Sequence, residues 1–235
     1  VSVDVVHVGL GVAAVGASAL VSRWAPRAAD ELGPGRRVAL TFIAIVGGTL
    51  AAKAPFVLAD PSSWSRHDAW FTDGRTVLLG LAGGYLSVEA GKLALGIGSR
   101  TGDPYAAPVA AAIAVGRLAC FWSGCCAGIP VWWGADFGDG VPRHPTQLYE
   151  AAFHGVATAV LLIAGRRAWW PTTLFQRYLL AYAAFRFATE WLRGEPTWAG
   201  LTWYQWASLG IGAAMLAVLR SRGASARPAG AAPAA

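Results

Sequence analysis

The chain has 235 residues, 55% of them hydrophobic and only 14% charged, with 12 tryptophans and a formal net charge of +6. Soluble domains carry about 25% charged residues, so a deficit spread along a chain of mean hydropathy +0.45 excludes a water-exposed surface and implies a membrane protein. The basic residues stand in short clusters between apolar runs, which excludes a nucleic-acid partner and makes them topology signals.

Seven apolar segments of roughly 18–23 residues follow one another, each about long enough to cross a bilayer core. The first, near 1–22, has no preceding basic cluster and is followed by Arg23 and Arg27, so it reads as a retained helix rather than a cleaved signal. The second, near 38–58, carries Lys53. The third, near 76–98, carries Glu89 and Lys92, which share a helical face and can neutralise each other. The fourth, near 106–127, brings Arg117 to mid-membrane without an acid three or four residues away. Such a guanidinium requires an anion from another helix or from a ligand; Glu150 and a lipid phosphate are the two candidates.

The three cysteines of the chain, Cys120, Cys125 and Cys126, close this segment. Their spacing matches neither a structural zinc site nor a secreted disulfide framework. They read either as small hydrophobes or as regulatory or redox thiols. Next comes Arg143-His144-Pro145-Thr146-Gln147-Leu148-Tyr149-Glu150, a polar stretch running straight into the fifth apolar segment, near 146–165. Polar groups at the edge of hydrocarbon are costly and tend to be paired, water-facing or functional. His144-Pro145 equally suits a helix start, and Thr146 and Gln147 suit helix-end hydrogen bonding. The sixth segment, near 174–193, holds Arg186 and Glu190 four residues apart, either a bracing ion pair or part of a site. The seventh, near 202–220, starts with Gln205. The Ala-, Pro-, Gly- and Ser-rich tail, 223–235, reads as disordered, leaving 1–222 as one transmembrane domain.

Arg23, Arg27, Arg36, Arg37, Arg100, Arg166, Arg167, Arg220, Arg222 and Arg227 fall on one side; Arg66, Arg75, Arg143 and Arg193 fall on the other. The positive-inside rule then puts the N-terminus outside and the C-terminus in the cytoplasm. The expected fold is therefore all-α, a polytopic bundle of seven transmembrane helices. Trp64, Trp70, Trp132, Trp133, Trp198, Trp203 and Trp206 mark an outer interfacial belt, and Trp169 and Trp170 an inner one.

A rise of about 1.5 Å per residue assigns a depth to each ionisable group. Arg117, Arg143, His144, Gln147, Tyr149, Glu150, Arg186 and Glu190 converge on one layer in the outer half, with His7 and Gln205 at similar depth. Arg117 and Arg143, expected on different helices, supply the planar donors that suit a phosphate or its diester. An anionic phospholipid entering laterally is the implied ligand. His144, Glu150 and Tyr149 are the proton-transfer groups beside its headgroup.

Gly116-Arg117-Leu118-Ala119-Cys120-Phe121-Trp122-Ser123-Gly124-Cys125-Cys126-Ala127-Gly128 resembles the signature of bacterial prolipoprotein diacylglyceryl transferases, which reads Gly-Arg, Asn-Phe, Asn-Gly-Glu and a closing Gly. Arg143 to Glu150 resembles that family's Arg-His-Pro-Ser-Gln-Leu-Tyr-Glu with Thr for Ser. Tyr182 to Arg193 is similar to its penultimate helix, and Thr202 to Ser208 to the start of its last. The resemblance implies seven transmembrane helices in the bacterial cytoplasmic membrane. It implies transfer of diacylglyceryl from phosphatidylglycerol to the lipobox cysteine of a prolipoprotein signal peptide, without metal or cofactor. Arg117 and Arg143 match its essential arginines and Gly128 its closing glycine. His144 and Glu150 join them as the catalytic set, with Gln147, Tyr149, Gly128, Arg186, Glu190 and Gln205 expected to bind substrate.

This chain departs from the pattern at Cys120, Ser123 and Cys125, which stand where the family has Asn, Asn and Glu. No histidine occurs in 76–84, where the family's His-Gly-Gly falls, and His7-Val8-Gly9 replaces its Trp-Tyr-Gly. Three further readings stay open: a paralogue using the same lipid donor with another acceptor, a non-catalytic anionic-lipid-binding protein, and a membrane thiol protein.

Overall fold

A computed structural model describes residues 5–26, 32–59 and 74–225. Trp64, Trp70, Arg66, Arg27, the His7 side chain and residues 226–235 lie outside the described part. Seven α-helices occur among the described residues: α1 (Val5–Ser22), α2 (Pro34–Ala59), α3 (Val77–Ala94), α4 (Asp103–Trp122), α5 (Thr146–Arg166), α6 (Leu174–Thr189) and α7 (Trp203–Ser225). They coincide with the seven apolar segments. Four of them, α2 to α5, are long and apolar enough to cross a membrane by length and composition. Among the described residues, strand content is confined to β1 (Pro130–Ala135) and the two-residue strands β2 (Thr197–Trp198) and β3 (Leu201–Thr202). Helix α7 continues through Ser225, into the stretch expected to be a disordered tail.

Contacts divide the chain into two compact units, one of residues 28–100 and one of residues 1–27 with 101–235. The 28–100 unit is a helix pair held by small residues. A Cβ on Gly48 would lie 3.0 Å from the Gly80 carbonyl, and one on Gly84 3.2 Å from that of Ala44. The Thr76 amide donates to the Ala52 carbonyl at 3.1 Å. Partners thus run 44 with 84, 48 with 80 and 52 with 76, so α2 and α3 are antiparallel and their backbones approach as small-residue membrane interfaces do. Leu32, Leu40 and Ile97 form its buried cluster, with Ile43 and Val88 packed against it. Lys92 meets both oxygens of Glu89 at 3.2 Å, the expected neutralising pair.

In the other unit α4 packs against α1 and α5, and α6 against α7. The buried alanines Ala106, Ala107, Ala110 and Ala111 give α4 a thin face that lets neighbours close in. Asp103 ties the start of α4 to that of α6, accepting from the Leu174 amide at 2.9 Å. Ala199 and Gly200, both at positive φ (50° and 80°), make the two-residue turn joining β2 to β3. Thr202 and Gln205 then start α7 reciprocally: the Gln205 amide donates to Thr202 Oγ1 at 3.1 Å, and the Thr202 amide to Gln205 Oε1 at 3.0 Å. This is a capping box. Large apolar side chains such as Val12, Val15, Phe42, Leu86 and Leu93 point outward, as lipid-facing residues do.

Candidate active site

Helix α5 opens with Thr146-Gln147-Leu148-Tyr149-Glu150, so its first turn carries a cluster of polar side chains. Glu150 is 1% exposed and stands where α4, α5 and the end of α6 meet. Its Oε2 pairs with Arg117 Nε from α4. Its Oε1 accepts from Arg186 Nη1 at 3.0 Å and from the Tyr182 hydroxyl at 3.2 Å, with Arg193 Nη2 3.6 Å away. Arg186 spends its other nitrogen on Glu190 at 2.5 Å, and its guanidinium lies 5.8 Å from the Tyr204 ring centre. Three guanidinium groups therefore meet two carboxylates, leaving one positive charge in a buried place. Nε and Nη2 of Arg193 are buried without a hydrogen-bond acceptor.

Behind Glu150, one turn further along α5, His154 is wholly buried. Its Nδ1 meets the Tyr178 hydroxyl at 2.8 Å and its ring packs 4.5 Å from that of Tyr182. His154, Tyr178 and Arg193 were not among the residues expected to form the site. Their signal was available in the spacing: Tyr178, Tyr182, Arg186 and Glu190 recur every fourth residue on α6 and its 3₁₀ extension, facing Glu150 and His154 on α5.

The turn after α4 is clamped from α5. Thr146 Oγ1 donates to the Cys126 carbonyl at 2.6 Å, and Gln147 Nε2 donates to that of Cys125. The Gly128 amide donates to the His144 carbonyl at 2.8 Å, and the Ile129 amide to that of Leu192 at 2.7 Å. A Cβ on Gly128 would stand 2.8 Å from His144 Cβ and 3.0 Å from Thr146 Cγ2, so only glycine permits this approach. His144 is half-buried, with Nδ1 3.1 Å from the Tyr149 hydroxyl and its ring edge-on to Trp133.

Arg143 belongs to no helix, contrary to expectation. It bridges Pro130 and Ala135, beside the strand β1, because the chain doubles back after Gly128. Its guanidinium forks onto Asp139 at 2.8 and 2.6 Å and also reaches the Val141 carbonyl. The adjacent guanidinium holds the Asp139 carboxyl down at about 2. Arg143 lines an open cavity of about 480 Å³ together with Ser123, Gly124, Ala127, Gly128, Phe137 and Asp139. Gln205 is engaged in the capping box, and its Nε2 donates to the Phe187 carbonyl at 3.3 Å. Arg117, Glu150, Arg186 and Glu190 are thus gathered in one buried network. Arg143 lines the cavity, and Gln147, Tyr149, His144 and Gly128 support the turn above α5.

The family model for prolipoprotein diacylglyceryl transferase matches residues 6–220. The phosphatidylglycerol–prolipoprotein diacylglyceryl transferase of Cupriavidus necator is 29% identical over 86% of this chain and 80% of its own length. The transferase of the same name from Geobacter sulfurreducens is 41% identical over 41% of this chain and 38% of its own. That from Bordetella parapertussis is 36% identical over 41% of each. The chain spans about two fifths of the length of the latter two relatives.

Proposed function

We propose, from the premise that this chain belongs to the prolipoprotein diacylglyceryl transferase family, that it moves the diacylglyceryl group of phosphatidylglycerol onto a prolipoprotein's lipobox cysteine. Membership and the apolar helices make it a multi-pass membrane protein. We infer that it crosses the bacterial cytoplasmic membrane seven times, with the signal peptide as the part of the prolipoprotein that it recognises.

The observation that carries the reading is the excess guanidinium at Glu150, where Arg117, Arg186 and Arg193 converge on one carboxylate. A phosphodiester headgroup carries one negative charge and planar pairs of acceptor oxygens, which suits these donors. In the transfer, the acceptor thiolate attacks the diacylglycerol carbon bearing the phosphate. A C–S bond forms, the C–O bond breaks, and glycerol phosphate leaves with the electron pair. The added charge on the departing phosphate is stabilised by donors already oriented by Glu150 and Glu190. Glu150, whose oxygens face three guanidiniums and a phenol, acts as the template for the arginines. His144 takes the thiol proton, with Tyr149 orienting its ring. Arg143 and the cavity that it lines receive the headgroup or the peptide at the mouth.

The test supplies phosphatidylglycerol and a lipobox peptide to the purified protein. Glycerol phosphate should appear, and the peptide cysteine should gain the mass of a diacylglyceryl group. Arg117→Ala should slow release by about 10²–10³-fold, as expected for loss of an oriented transition-state donor. Release without peptide modification would transfer support to the reading with the same donor and another acceptor. That reading is favoured by Cys120, Ser123 and Cys125 standing where the family pattern has Asn, Asn and Glu. No release with any thiol or hydroxyl acceptor would sink both.

A further inference from the structure

Three thiols gather where α4 ends, and the transfer chemistry uses none of them. Cys120 is half-buried, Cys125 and Cys126 are exposed, and all three are free. The Cys125 thiol donates to the Cys120 carbonyl at 3.5 Å and accepts from the Ser123 hydroxyl at 3.3 Å. It also lies within hydrogen-bonding reach of both the Cys120 and the Cys126 thiols. The turn that folds Cys125 back over the helix end is set by Gly124 and Cys126, both at positive φ (66° and 62°). Three contacts connect this turn to the arginine cluster, one of them a side-chain hydrogen bond between Cys126 and Arg193. Arg117 Nη1 donates to Cys120 Sγ at 3.7 Å, and the Cys125 carbonyl is the one held by Gln147.

We propose that Cys120 and Cys125 form a dithiol that closes to a disulfide on meeting a low-molecular-weight disulfide, and that closure weakens anionic-lipid binding at Arg117. The second half rests on the lipid reading above; the first does not. The exposed Cys125 thiol, losing its proton, attacks one sulfur of the small disulfide as the thiolate, forming a mixed disulfide and expelling one thiolate. The Cys120 thiolate then attacks the Cys125 sulfur and expels the second. Two electrons pass to the small disulfide, and the two cysteine protons end on the two released thiols. Cys126 is not the partner of Cys125: adjacent Cα atoms lie about 3.8 Å apart across a trans peptide, short of the roughly 4.4–6.8 Å that disulfides span.

Closure brings the two sulfurs to about 2.05 Å. Cys125 is drawn towards the helix, its carbonyl leaves Gln147, and Cys120 Sγ turns from the guanidinium. Arg117 then loses one of the contacts that orient it, and the turn loses a clamp.

The experiment uses the full chain in nanodiscs, with oxidised glutathione as the small disulfide and a labelled phosphatidylglycerol as the lipid probe. Treatment should lower the intact mass by about 2 Da without a retained adduct, as two-step exchange requires. Peptide mapping should join Cys120 to Cys125, while Cys126 stays open to alkylation. Lipid retention should fall about tenfold, the scale of one charge-assisted hydrogen bond, and recover with dithiothreitol. Cys126→Ser should keep both responses and Cys125→Ser should lose both. A glutathione adduct that stops at Cys125, or a link that leaves lipid retention unchanged, overturns the proposal. Reduced protein that retains no phosphatidylglycerol would count against the lipid reading, while the link is still read by mass.

Discussion

Burying Glu150 would cost several kcal/mol were it alone, and the arginines from α4 and α6 would each cost as much. Together they offset one another, so removing one member exposes the full penalty of the rest. Glu150→Ala should destabilise the fold by about 3–5 kcal/mol, read as a shift in the thermal unfolding of the detergent-solubilised protein; an unchanged midpoint would contradict the network. The exposed Asp139–Arg143 pair behaves differently. The Asp139 carboxyl is held at about 2 against an ordinary value of 3.8, so its folded-state pKa is depressed. The pair's contribution is fully present above pH 3.8 and is lost as pH falls towards 2. Proteolysis within 136–143 should accelerate across that window with an acid-active protease, and Asp139→Asn should remove the pH dependence. Much of this chemistry is legible in the sequence. Arg117 has no acid three or four residues away on its own helix, and Glu150 is one of the two anions available to it. His154 and Tyr178 were not seen, because a histidine and a tyrosine within apolar runs have the same local pattern as packing residues.

Among the elements, the helices followed from apolar run length, with starts and ends displaced by a few residues where loops and caps take over. Less legible was the 128–144 connection. Gly128, Gly134 and the doubled-back chain place Arg143 beside β1 because glycine admits the His144 Cβ and the Arg143 backbone at close range, and no periodicity announces such a contact. Gln205 shows the reverse case: Thr-x-x-Gln ahead of an apolar run is a capping signature, and the depth of the residue suggested a ligand instead. Thr202→Ala removes the oxygen that receives the Gln205 amide. It should cost about 1 kcal/mol, seen as faster hydrogen exchange confined to the first turn of α7; protection unchanged there would refute the cap.

For the whole molecule, the proposed seven crossings, with the C-terminus placed in the cytoplasm by the distribution of arginines, can be tested. A reporter that fluoresces only in the cytoplasm should light up when fused after Ala235, and an alkaline phosphatase fused at the same point should stay dark. The opposite pattern would overturn the seven-span topology. The sharing of Glu150 has a further consequence for biogenesis. A lone arginine at the centre of an inserting helix costs about 2.5–3.5 kcal/mol at the translocon, and α4 carries Arg117 with no acid three or four residues away to lower that cost. Its carboxylate arrives only with α5, and α6 must then deliver Arg186 to the same group. The nascent chain is therefore expected to wait beside the insertion machinery until α4, α5 and α6 can leave for the lipid as a set.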